Sequence, residues 1–133
     1  MLLRSLVAES AKKSRVCWLS WSGSQPRLVW HAWYDDALVV LSGDDQPLPG
    51  LDGTVQVTMR SKDTGGRLVT WTGSVEVVDP AADAWDGNAA ALLAVRLNLV
   101  DPAATLASWR SDATVVRITP VDATEEPAAG PLP

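Results

Sequence analysis

The chain has 133 residues, with 11 Lys and Arg against 16 Asp and Glu, a net charge of −5, and 47% hydrophobic residues. Those values suit one globular domain whose core needs no disulfide or metal to fold, and they exclude a disordered or collagen-like chain. No stretch approaches about eighteen continuous apolar residues, so no transmembrane helix is expected, and the acidic balance argues against a broad nucleic-acid-binding face.

Leu2, Leu3, Leu6 and Val7 recur at helical spacing and predict a short opening helix ending near Lys13. Residues 16–20 read as a strand, cut by the turn-forming run Ser22-Gly23-Ser24-Gln25-Pro26. Residues 27–34 form a second strand. Asp35-Asp36 is a two-residue turn, and residues 37–42 return as a third, a hairpin signal. The segment 43–53, rich in Gly, Pro and Asp, is a loop. In residues 54–61, Val55, Val57 and Met59 alternate with Gln56, Thr58 and Arg60, the period of a half-buried strand. Asp63-Thr64-Gly65-Gly66 turns the chain into a long strand over 67–78, where Gly73 predicts a bulge or bend.

The Ala- and Leu-rich run 83–97 reads as a helix. Asp101-Pro102 is an N-cap followed by Pro at the first helical position, opening a short helix to about Trp109. Residues 114–119 are the last strand. The Pro-, Ala- and acid-rich tail 121–133 is expected to be disordered. The expectation is one α+β domain over 1–120, a six-stranded antiparallel barrel with short flanking helices, because closure removes exposed strand edges.

Candidate chemistry is sparse. His31 is the one histidine and falls in a predicted strand, where a packed side chain is the default and catalysis the alternative. Cys17 excludes an internal disulfide and a multi-cysteine metal site, and reads as a small buried hydrophobe. Asp35-Asp36 and Asp44-Asp45 are explained by turn chemistry. The N-terminus does not read as a signal peptide, so a reducing cytoplasm is the default. Seven Trp and no Phe have two readings: a GC-rich codon bias, or rings lining a flat-ligand site or interface. Arg27, Arg60, Lys62 and Arg67 sit at strand ends, and Arg60 and Arg67 flank one turn. An Arg fork suits phosphate; solvated strand ends are the plain alternative.

The order of segments resembles the FMN-binding split-barrel family related to pyridoxamine 5′-phosphate oxidase, over residues 5–120. Arg27-Leu28-Val29 is similar to the family's Arg-x-Val. Residues 37–42 (ALVVLS) are similar to the strand that ends in Thr or Ser beside the flavin phosphate. Residues 67–75 are similar to its Arg-x-Val-x-x-x-Gly-x-Val strand. The resemblance implies a six-stranded split barrel, a homodimer, and FMN or a deazaflavin in a groove at the dimer interface, with hydride transfer on the cofactor. Carried over, Arg27 and Ser42 contact phosphate or ribityl, Arg67 lies near the flavin, and Trp30 lies beside the ring. Arg60 and Lys62 would supply compensating charge. The chain also departs from the family. Ala32 and Gln46 stand where the oxidases carry lysines, with Asp44 and Asp45 beside Gln46, and Thr70 or Trp71 replaces a second Arg. Aspartates beside a phosphate weaken its binding.

Three functions follow. One is a flavin- or deazaflavin-dependent oxidoreductase acting on a small molecule. The second is a non-enzymatic split-barrel dimer with a degenerate cofactor site, serving as a binding or accessory protein. The third is a lipid- or haem-binding barrel, with His31 as its only strong axial candidate.

Overall fold

The structure, a computed structural model, describes residues 3–23, 25–43, 46–61, 67–96 and 100–121. The elements run α1 (Leu3–Lys13), β1 (Val16–Ser20), β2 (Arg27–Trp30), β3 (Ala32–Tyr34), β4 (Ala37–Ser42), β5 (Thr54–Ser61), β6 (Arg67–Val78), α2 (Ala84–Val95), α3 (Pro102–Asp112) and β7 (Thr114–Pro120). The Asp44-Asp45 pair, the 63–66 turn and the tail from 122 lie outside the described residues.

The sheet is wholly antiparallel, in the order β2-β1-β5-β6-β7-β4-β3. Its two edge strands, β2 and β3, are separated in sequence by His31 alone. The sheet therefore curls until its edges nearly meet, giving, among the described residues, an almost closed seven-stranded split barrel with three helices, an α+β fold.

The extra strand corrects the expected six. Residues 27–34 are not one strand. The first half pairs with β1, through Val29 and Cys17, and the second with β4, through Trp33 and Leu38. His31 is the corner: its N–H donates to Arg15 O at 3.0 Å. Apolar alternation continues through such a corner, because it encodes which face is buried and not which neighbour a strand takes.

At Gly73, where a bulge or bend was expected, the bulge is not found. β6 runs in unbroken register past it, pairing Gly73 with Val55 on one side and with Pro120 on the other, so there is no bulge. The glycine is required by packing, since a Cβ there would collide with Ile118 Cγ2 and crowd Trp71. α3 also runs one turn further than expected, to Asp112. Its start is as read: Asp101 caps it by accepting from Ala104 N–H at 3.1 Å, with Pro102 in the first turn.

Two apolar layers share the sheet. Inside the barrel, Leu19, Leu38, Val40, Val57, Met59, Trp71, Val116 and Ile118 pack together, with Val7 and Ala11 of α1 closing the cluster. Outside, Val39, Leu41, Val78 and Val115 meet Trp85, Ala89 and Leu92 of α2 and Trp109 of α3. β4 serves both layers, which is why ALVVL is apolar without alternation and buried at every position. The β3–β4 turn is the two-residue type expected, with Asp35 and Asp36 at φ of 52° and 62°. Arg117 of β7 ties that turn down, donating to Tyr34 O, Asp35 O and Asn88 Oδ1 at 3.2, 2.8 and 2.9 Å.

Candidate functional site

Edge strand β2, the end of β4 and the loop that follows β4 are held together by hydrogen bonds. This brings Arg27, Trp30, Ser42 and Gln46 together. Each is tied to the fold itself. Arg27 Nη1 donates to Pro47 O at 3.0 Å, and its guanidinium lies 5.6 Å from the centre of the Trp21 ring. Ser42 Oγ accepts from Leu48 N–H at 3.2 Å. Gln46 Oε1 accepts from Trp30 N–H at 3.0 Å, while Nε2 donates to Trp30 O and Leu41 O at 3.2 and 3.0 Å. Trp21, which sequence reasoning did not single out, adds a fourth tie from Nε1 to Pro49 O at 3.1 Å. Leu48 and Leu51 anchor the same loop in the core.

Trp30 is half-buried at the end of β2. Arg96, just past α2, stacks over its ring at 4.6 Å, and Trp109 of α3 lies 6.1 Å away at 37°. These partners are 66 and 79 positions distant in sequence, so no local pattern announces them.

The remaining candidates lie elsewhere. Arg60 is exposed on β5, and β1 stands between it and β2. It is the register partner of Leu68, whereas Arg67 pairs with Ser61, so the two arginines are not opposite one another across the hairpin. Lys62 lies outside the described residues.

His31 and Cys17 are both poorly placed for acid–base chemistry. His31 is fully buried, and Nε2 hydrogen-bonds Ala11 O at 3.1 Å. Burial lowers its pKa to about 4, against a smaller opposing pull from the Ala11 and Ser14 backbone. Cys17 is buried in the barrel, and desolvation pushes its thiol well above the ordinary range, so it is inert as a nucleophile. Among the described residues no group of His, Cys, Asp and Glu is arranged to hold a metal ion, and no helix is long and apolar enough to cross a membrane.

A flavin phosphate needs clustered positive charge or backbone donors turned outward. Among the described residues of this group, Arg27 Nη1 is directed at the Pro47 carbonyl, Gln46 Nε2 at two strand carbonyls, and Leu48 N–H at Ser42. Arg27 is the single cation in this set, and one cation is a poor match for a dianionic phosphate.

No protein-family profile matches the chain, and no curated protein matches it by sequence. Two solved structures share the fold. HutZ, the haem storage protein from Vibrio cholerae, superposes with a TM-score of 0.59 at 13% identity over 92% of each chain. A proposed 5-nitroimidazole antibiotic resistance protein from Bacteroides thetaiotaomicron gives a TM-score of 0.50 at 13% identity, over 89% of this chain and 77% of the other. The architecture is a split barrel of the type both share.

Proposed function

We propose that the chain is a non-enzymatic split-barrel protein, a binding or accessory module rather than a flavin- or deazaflavin-dependent oxidoreductase. The observation that carries this is the use of Arg27, Ser42 and Gln46 to hold the loop after β4, where a cofactor phosphate would need them. The inert Cys17 and the buried His31 support it, as does the similarity in fold to a haem-storage protein. Haem itself is a poor candidate, because His31 is sealed beneath α1 and bonded to its backbone.

A homodimer is part of the proposal. Val16, 44% exposed, and the half-buried Trp18 alternate along β1, and Leu28 of β2, 59% exposed, is the register partner of Trp18, an apolar surface suited to a second copy. The acidic net charge favours a protein or small-molecule partner over nucleic acid. The lone cysteine suits the cytoplasm.

The test is a titration of the purified protein with FMN and with a deazaflavin, following Trp quenching and cofactor emission together. No saturable binding is expected up to about 100 μM, the range in which a working cofactor site is readily seen. Saturable micromolar binding that disappears in Arg27→Ala would overturn the proposal and restore the oxidoreductase.

A further inference from the structure

One stretch of β6 has a strand on one side only. β5 pairs with residues 67–74, whereas β7 pairs with residues 73–78 on the opposite edge. Residues 67–72 therefore lack a strand on the β7 side. Val121 N–H donates to Thr72 O at 3.0 Å there, and among the described residues it makes the one backbone bond on that side. Backbone groups alternate between the two edges of an antiparallel strand. Leu68 and Thr70 thus turn their N–H and C=O groups the same way as Thr72, to the open side. An edge of this kind is a template for an extended chain.

The Val121 bond keeps the register in which Gly73 faces Pro120. Carried on, that register sets Asp122 against Trp71, Ala123 against Thr70, Thr124 against Val69, Glu125 against Leu68 and Glu126 against Arg67. The six residues 121–126 contain no Pro or Gly, and they match in number the six residues of the open edge. Pro127 lacks the N–H that a ladder needs, and it falls just past the start of β6. Two of the pairings are chemically complementary. Glu126 and Arg67 carry opposite charges. Asp122 brings an acceptor opposite Trp71, whose buried Nε1 has no hydrogen-bond partner among the described residues.

From this continuity we infer that residues 122–126 dock on the open edge of β6 in the same chain, as an extension of β7, and close that edge to other chains. The occupant is the chain's own tail because Val121 already delivers it to the edge in register. A segment joined directly to its docking site competes at high effective concentration against a strand from a second copy.

The experiment uses the full chain and follows amide hydrogen exchange at Leu68 and Thr70 by NMR. Docking ties up both N–H groups, so both exchange slowly. In this register Ala123 N–H donates to Thr70 O, whereas Thr124 N–H points away from β6. Ala123→Pro should therefore speed exchange at both amides by about tenfold or more, and Thr124→Pro should leave it unchanged, since an outward N–H is dispensable. Circular dichroism confirms that both variants are folded. A second test pairs Thr70→Cys with Ala123→Cys. Residues paired in this way have Cα atoms about 5.5 Å apart, within the span of a disulfide, so oxidation should link the two within one chain. Exchange of Leu68 and Thr70 at the rate of unstructured amides, an equal response to the two proline variants, or a disulfide that joins two chains overturns the inference.

Discussion

Gln46 is bonded to both polar groups of the Trp30 backbone, its side-chain oxygen accepting from the N–H and its side-chain nitrogen donating to the carbonyl. One side chain thereby reproduces the pairing that a neighbouring strand would give. It does so on an edge strand of the sheet, near where β2 gives way to β3, and its third bond, to Leu41 O, ties that position to the end of β4.

Gln46→Ala should therefore destabilise the protein by about 1–3 kcal/mol, through three lost hydrogen bonds and part-buried backbone groups left unpaired. Gln46→Glu should be worse at neutral pH, where its carboxylate faces the Trp30 and Leu41 carbonyls, and should recover in part below about pH 4, where it protonates. Thermal unfolding of the three proteins across pH checks both statements. An unchanged melting temperature in Gln46→Ala would show the seam to be held by other contacts.

His31 predicts a pH dependence with a definite sign. Its pKa is about 4 in the fold against 6.5 for the free side chain, so the unfolded chain takes up the proton first. Stability is fully present above about pH 6.5 and is lost as the pH falls toward 4, by on the order of 3 kcal/mol for this group alone. Urea unfolding between pH 7.5 and 4 should show this slope, and the difference between wild type and His31→Gln isolates it from the carboxylates. Parallel pH profiles for the two proteins would contradict the burial of a neutral imidazole.

Gly73→Ala should cost about 1–3 kcal/mol by overpacking against Ile118. Ile118→Ala alone should also destabilise, since it leaves a cavity in the barrel. The double variant should be more stable than the sum of the two predicts, because each change relieves the other. Additive losses in a denaturation cycle would mean that the two positions do not compete for the same space.

Asp36→Gly should stabilise the protein by about 1 kcal/mol, because Asp36 holds a left-handed φ that costs an L-residue about that much. The carbonyls that Arg117 grips belong to Tyr34 and Asp35, so the clamp survives the change. A higher melting temperature is the expected readout.

Strands, helices and the tight turn were legible where a local rule governs them: the alternation of Val55, Val57 and Met59, the Asp101-Pro102 start of α3, the Asp35-Asp36 hairpin. The corner at His31 was not, because a switch of strand partner leaves the face pattern intact. The grouping of Arg27, Ser42 and Gln46 came from the family resemblance. Their loop partners at Pro47 and Leu48 did not, since a Pro- and Gly-rich loop carries no periodicity to say where it folds back. Gln46 was noted as a missing lysine, and its side chain turned out to have a structural use of its own. Arg96 over Trp30 joins two segments 66 positions apart, a distance over which only three-dimensional packing speaks.

β7 lies between β6 and β4, hydrogen-bonded to both, and it follows both of them in sequence. When the chain is synthesised, β1 with β2, β3 with β4, and β5 with β6 can all form from near neighbours. The gap between β4 and β6 then persists until residues 114–120 leave the ribosome. Closure thus waits for β7, and a nascent chain stalled before β7 leaves the facing edges of β4 and β6 unpaired together. Such an intermediate is a natural substrate for chaperones, and the step that ends its vulnerability is the docking of one seven-residue strand.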